Sequence, residues 1–198
     1  MDNERLEKQF DFFREIDKEK FIGRQTYLTD GERKENDAEH AWHMAIMTVL
    51  LAEYANEKID VLKTVMMLLI HDLVEIDAGD TYAYDEEGKK TQREREEKAA
   101  KRIFGLLPEE QGEKLMALWE EFEAYETPEA NFAHTMDNIQ PVMLNDATDG
   151  KAWLEHGVHL SQILGRNKKT AEGSEELWQY AYKKMIAPNA VKGRIIED

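Results

Sequence analysis

Apolar side chains recur at three- and four-residue steps along nearly the whole chain, the spacing that lines them up on one face of an α-helix. Leu6, Phe10, Phe13 and Ile16 give an amphipathic first helix. From Phe21 to Lys34 the rhythm breaks at Gly23, Asp30 and Gly31, which reads as a connecting loop. Asn36-Asp37-Ala38-Glu39 carries the side chains of a capping box. The helix it opens is expected to run to about Tyr54 and to bury Ile46, Val49 and Leu50. Asp60 caps the next, Val61 to about Ile76, which is apolar nearly all round and therefore central. Asp77 to Lys90, with Gly79, Gly88, Tyr82 and Tyr84, reads as a loop long enough to be functional. Thr91-Gln92-Arg93-Glu94 opens a charged helix, and Pro108 suits the first turn of another. Thr127-Pro128-Glu129 starts one more, which runs past Asp137 until Pro141 bends or interrupts it. A last pair is expected around His156 to Arg166 and Ser174 to Ala187. No stretch alternates convincingly as a strand and none repeats. The pattern predicts an all-α fold, a single domain over residues 1–198.

Composition narrows what such a bundle can do. The 198 residues include 42 acidic and 26 basic side chains, a formal net charge of −16. That charge opposes broad binding to a nucleic acid polymer or an anionic membrane and welcomes metal cations. A small phosphorylated substrate stays compatible, because its pocket needs only a few local cations. With no cysteine, disulfides, thiolate metal sites and thiol nucleophiles drop out. The start, Met1-Asp2-Asn3-Glu4, is hydrophilic, and the densest apolar run, Val65 to Ile70, is far shorter than the roughly 20 residues of a membrane span. A cytoplasmic protein is expected.

The chemistry concentrates at His71-Asp72, inside the most apolar helix. An ionised carboxylate there costs several kcal/mol unless it is paired or holds a metal. On a helix Glu75 falls four residues after His71 and three after Asp72, so the three project from neighbouring faces. Part of a metal site with an adjacent acid/base is one reading; a buried His–Asp hydrogen bond beside a surface Glu is the other. His40 stands in the first turn of its helix, with His43 three residues on. Asp137, on spacing alone, reads as a solvated or capping aspartate. His43, His134, His156 and His159 are assigned to packing or the surface, His134 being the nearest reserve ligand.

The ordered set His40, His71-Asp72, Asp137 resembles the signature of the HD-domain metal-dependent phosphohydrolases. Glu35-Asn36-x-x-Glu39-His40, followed by His71-Asp72-x-x-Glu75-x-x-x-Gly79-Asp80, is similar to the YfbR-type bacterial 5′-deoxynucleotidases and their relatives, over about Phe21 to Asn145. The resemblance implies a metal-site core at about 21–145, with C-terminal helices at 150–190 packing on it. It implies that His40, His71, Asp72 and Asp137 bind one divalent metal ion. Glu75 then matches the family's catalytic carboxylate and Asp80 its second active-site acid. Arg24 falls near the position of a phosphate-contacting arginine, although Gln25 follows it where those enzymes have tryptophan.

Two imidazoles and two carboxylates suit Mn, Fe, Co, Ni or Zn better than Mg, which prefers oxygen ligands alone. The substrate implied is a small phosphorylated molecule, a nucleotide, and the assembly implied is a homodimer. Lys89, Lys90, Arg93 and Arg95 form the next basic cluster and read as a solvated helix start. Competing readings are an HD-type enzyme acting on a triphosphate, a cyclic dinucleotide or an alarmone, and a non-catalytic all-α metal-binding adaptor. Trp153, Leu160, Ile163, Leu164, Trp178, Tyr182 and Met185 read as core or as dimer contact, core being the safer assignment.

Overall fold

The helical rhythm is realised in the computed structural model, which describes residues 3–81, 83–84 and 86–198. Tyr82 and the side chain of Lys89 lie outside the described residues. The elements are α1 (Glu4–Ile16), a 3-10 turn (Asp17–Phe21), β1 (Gly23–Tyr27), β2 (Lys34–Asn36), α2 (Asp37–Leu51), a second 3-10 turn (Ala52–Tyr54), α3 (Val61–Ile70), a third 3-10 turn (His71–Val74) and α4 (Glu75–Ala78). Then come α5 (Glu86–Phe104), α6 (Glu109–Ala124), α7 (Pro128–Ala147), α8 (Lys151–His156), α9 (Leu160–Arg166), α10 (Thr170–Gly173), α11 (Glu175–Ala181) and, after a π turn, α12 (Ala187–Val191). Among the described residues the fold is all-α apart from one small hairpin. Among the described residues no helix is long and apolar enough to cross a membrane.

Predicted caps form. Asn36 Oδ1 accepts from the Glu39 amide at 3.0 Å while Glu39 Oε2 accepts from the Asn36 amide at 3.1 Å, closing the capping box. Asp60 caps α3 through the Lys63 amide and Thr127 caps α7 through the Ala130 amide.

Tertiary context overrides the sequence reading in several places. Phe21 to Lys34 is not all loop: β1 and β2 pair antiparallel, with Gly23 opposite Asn36 and Tyr27 opposite Lys34. Strands this short show too little alternation to be read in advance. The central helix does not continue to Ile76, because it tightens into 3-10 winding at His71. α5 starts at Glu86, ahead of the expected cap at Thr91. α7 continues through Pro141. The proline forgoes one backbone bond, but burial of Ile139, Val142 and Leu144 holds the helix on both sides of it. His156 ends a helix rather than starting one, and Gly157 follows at φ +58°.

α2 turns Ala41, Met44, Ala45 and Thr48 inward and leaves Trp42, Ile46, Val49 and Leu50 exposed, the reverse of what was expected for the last three. Its sequence carries two apolar stripes, and the inner one has the small residues that let α2 approach its neighbours closely.

Among the described residues three apolar clusters pack around α3 and α7. One joins α1, the 3-10 turn His71–Val74, α5 and α6 through Phe12, Leu73, Ile103, Phe104 and Trp119. Another joins α2, α3, α6 and α7 through Met44, Met67, Leu68, Phe122, Phe132 and Met136. A third packs the C-terminal helices on α7: Trp153 and Ile163 are buried there, with Leu160, Trp178, Tyr182 and Met185 against them. Six of the seven apolar C-terminal residues singled out in the sequence thus belong to this cluster, and Leu164 is half-buried outside it.

Candidate metal centre

Where these clusters meet, the polar residues of the sequence motifs converge. His40 comes from the first turn of α2, which its capping box fixes. His71 and Asp72 come from the 3-10 turn that ends α3. Ligand atoms of His40, His71 and Asp72 all lie within 4.8 Å of one another. Asp137, midway along α7, joins them with its Oδ1 3.1 Å from His40 Nε2. It is neither solvated nor a cap: burial is set against its contacts with His40 and Arg166, which hold its carboxyl well below the usual range.

The two imidazoles are held with one nitrogen facing inward and bare. His40 Nδ1 donates to Gln140 Oε1 at 2.9 Å, and the amide orientation is set by Gln140 Nε2 donating to Glu35 Oε2 at 2.9 Å. The same NH₂ lies 3.3 Å from His43 Nδ1. That leaves the Nε2 lone pair of His40 pointing at a carboxylate, and burial pushes this imidazole down to about 4, so it is neutral. His71 Nδ1 donates to the Leu68 carbonyl at 2.8 Å. Its Nε2, buried and without a hydrogen-bond partner, lies 3.1 Å from Asp72 Oδ2. Burial works to discharge His71, yet the Asp72 carboxylate outweighs it and raises the imidazole to about 9. The His40 lone pair, a protonated His71 and the carboxylate oxygens thus crowd a point where positive charge is wanted. Two imidazole nitrogens with Asp72 and Asp137 fit a divalent transition ion, and the backbone and amide partners behind the imidazoles are those that orient metal-binding histidines.

The neighbouring carboxyls form an acid/base set. In 3-10 winding residues three apart eclipse, which brings Glu75 over Asp72. Glu75 is buried, and burial together with Asp72, Asp37 and Asp80 pushes it up to about 12. Asp37 lies within hydrogen-bonding reach of it and is also raised, by burial first and then by Asp72. Gly79, at φ +75°, turns the chain out of α4 in a conformation that favours glycine, and Asp80 follows at the cavity wall. Burial raises Asp80 as well.

Arg24, delivered by β1, is largely enclosed among acids. Its Nη1 bonds Asp72 Oδ2 at 2.8 Å and Asp37 Oδ1 at 3.1 Å, and its Nε lies 3.8 Å from Glu35 Oε1. Every one of these contacts is with a carboxylate.

Arg24, His71, Asp72, Glu75, Asp80 and Asp137 line a cavity of about 390 Å³ whose walls also carry Tyr84, Tyr125, Trp153 and Arg166. His134 is stacked between Phe122 and Tyr125, with its Nε2 donating to the Phe122 carbonyl at 2.9 Å, a packing role as expected. Arg93 binds Glu97 and Glu123, in line with its solvated reading, whereas Arg95 reaches back to the Ala78 carbonyl and Thr81.

Sequence reasoning gave no role to Asp37, Glu35, Gln140 or Arg166. The first three flank assigned residues at helical or strand spacing, which is the signal that was present. Gln140→Leu is expected to weaken divalent-metal affinity roughly 10- to 100-fold, since it removes the acceptor that fixes the His40 tautomer. Titration calorimetry with Mn²⁺ on metal-stripped protein checks this, and an unchanged affinity refutes the positioning role.

An HD-domain family profile matches residues 16–178 of the chain. A predicted metal-dependent phosphohydrolase from Magnetospirillum magnetotacticum MS-1, solved by crystallography, is 47% identical, with a TM-score of 0.91 over 96% of this chain and 95% of that one. The human 5′-deoxynucleotidase HDDC2 is 31% identical over 57% of this chain and 53% of its own length, so the chain spans about half of that relative. The Dictyostelium discoideum 5′-deoxynucleotidase HDDC2 is 28% identical over 70% of this chain and 76% of its own.

Proposed function

The chain belongs to the HD-domain family, and we propose that it is a metal-dependent phosphohydrolase releasing phosphate from (deoxy)nucleoside 5′-monophosphates. The observation that carries this reading is the cluster of His40, His71 and Asp72 ligand atoms within 4.8 Å of one another, with Asp137 against His40 and with the carboxyls of Glu75 and Asp80 on the adjoining cavity wall. A site that merely holds helices together has no need of Glu75 and Asp80. The names of the human and Dictyostelium relatives support the nucleotide as substrate class, and a cavity of about 390 Å³ suits a small phosphorylated molecule.

In this reading His40, His71, Asp72 and Asp137 hold one divalent ion, chosen from Mn, Co, Fe, Ni or Zn by the mixed nitrogen and oxygen donors. When bound, the ion supplies Lewis acidity toward a phosphoryl oxygen and acidifies water. With the charge of a bound ion beside it Glu75 would give up the proton it holds in the metal-free site and could then accept one from the attacking water, and Asp80 orients that water or protonates the departing sugar oxygen. Arg24 keeps Asp72, Asp37 and Glu35 from repelling one another. The homodimer that the resemblance implies would draw on the exposed α2 face of Trp42, Ile46, Val49 and Leu50.

A panel of nucleoside mono-, tri- and cyclic phosphates, assayed with Mn²⁺ or Co²⁺, tests the proposal. Release of inorganic phosphate from 5′-monophosphates is expected. Turnover confined to triphosphates or cyclic dinucleotides overturns the substrate class, and no turnover of any phosphoester by metal-loaded protein favours the adaptor.

A further inference from the structure

A phosphate on the floor of this cavity would face a strongly acidic surface, so some cation must meet it. Arg24, the residue to which the resemblance gives that duty, is already engaged. Burial alone would lower its charge, but the surrounding carboxylates of Asp72, Asp137, Asp37 and Glu75 hold it firmly protonated. Its hydrogen bonds run to Asp37 and Asp72. Turned toward a ligand, it would leave those buried acids without their counter-ion, which is strongly unfavourable.

Arg166 is placed differently. It ends α9, lines the same cavity and keeps 33% of its side chain exposed, against 13% for Arg24. Its Nη2 lies 3.2 Å from Asp137 Oδ2, while Asp137 Oδ1 faces His40 Nε2. One carboxylate therefore fixes the guanidinium beside the metal ligands and occupies only part of its donor fork. The other N–H groups of Arg166 find no acceptor among the described residues. Its charge is felt at Asp80, Tyr84 and Tyr125 around the cavity. The corner after it is rigid: buried Asn167 donates to the Ile163 carbonyl and accepts from Thr170 Oγ1. This corner also brings Lys168 and Lys169 to the cavity wall, Lys169 Nζ standing 4.6 Å over the Tyr125 ring.

We infer that Arg166 is the phosphate-contacting cation of the site, aided at the rim by Lys168 and Lys169, whereas Arg24 is an internal counter-ion. The inference rests on the phosphohydrolase reading but is testable apart from turnover. A planar guanidinium with free donors matches phosphate oxygens in a way that a lysine cannot fully replace.

The experiment is calorimetric titration of Mn²⁺-loaded protein with inorganic phosphate, on wild type, Arg166→Ala and Arg166→Lys, with Mn²⁺ affinity and melting temperature measured on each. Arg166→Ala is expected to weaken phosphate binding about 10- to 100-fold while Mn²⁺ affinity stays within about threefold and the melting temperature is unchanged. Arg166→Lys is expected to recover part of the loss. For a 5′-monophosphate substrate, KM is expected to rise in parallel. Unchanged phosphate affinity overturns the inference, as does a wild type that binds no phosphate or a variant that loses Mn²⁺ as much as phosphate. Phosphate binding that depends on Arg166 in a protein that hydrolyses no monophosphate sustains it and sinks the functional reading instead.

Discussion

Asp72→Ala is expected to abolish metal-dependent activity, with a loss of roughly 10³-fold or more, because the Lewis acid contributes several kcal/mol to the transition state. Activity is not the cleanest readout. An ion that binds only the folded protein stabilises it by about 2.7 kcal/mol at a hundred times its dissociation constant. For a chain of this length that raises the melting temperature by about 5–10 °C. Wild type is expected to show this rise with Mn²⁺ and Asp72→Ala to show none. Without metal the two are expected to melt close together, since two effects oppose each other in the variant. Arg24 loses its 2.8 Å partner, but the repulsion that Asp72 exerts on Asp37 and Glu75 is relieved. If Asp72→Ala keeps the metal-induced rise and its turnover, the ligand assignment is wrong.

What the sequence made legible follows from what each signal depends on. Helices were readable where an apolar stripe and a cap coincide, as at Asn36–Glu39, Asp60 and Thr127, since both are local. β1 and β2 were not, because their pairing is decided by contact and not by alternation. The stripe of α2 was assigned to the wrong face: Ile46, Val49 and Leu50 are larger and more apolar than Ala41 and Ala45, but close packing selects the smaller set. His71-Asp72 stood out through the cost of charge in an apolar helix. Asp137 did not, since its reason for being buried lies in α2 and α9. Gln140 and Arg166 act through partners 100 and 29 residues away, a distance at which spacing carries no information.

The net charge acquires a local meaning from the structure. Most acids solvate helix faces, whereas Glu35, Asp37, Asp72, Glu75 and Asp137 are drawn inward around Arg24. A buried set of like charges is stable only with positive charge supplied among them. Arg24 and the His71 imidazolium supply part of it, and a divalent ion is suited to supply the rest. Acidity of the chain thus favours the ion and opposes the phosphate, which is why the position of each remaining cation in the cavity carries weight.

Glu75→Gln is expected to keep metal binding within a few-fold of wild type and to lower kcat about 10²- to 10⁴-fold. Glutamine preserves the shape of a side chain that is only 7% exposed, and its amide donates to Asp37, so the site's packing survives. What is lost is an oxygen able to take a proton from water. Asp80→Asn provides the contrast. If Asp80 protonates the departing sugar oxygen, its loss is largely repaired with p-nitrophenyl phosphate, whose phenolate leaves without a proton. The Glu75→Gln defect is expected to persist with that substrate, because attack by water still requires a base. Repair of Glu75→Gln by the good leaving group would transfer the acid role to Glu75. Normal turnover of Glu75→Gln with both substrates would remove it from the chemistry altogether.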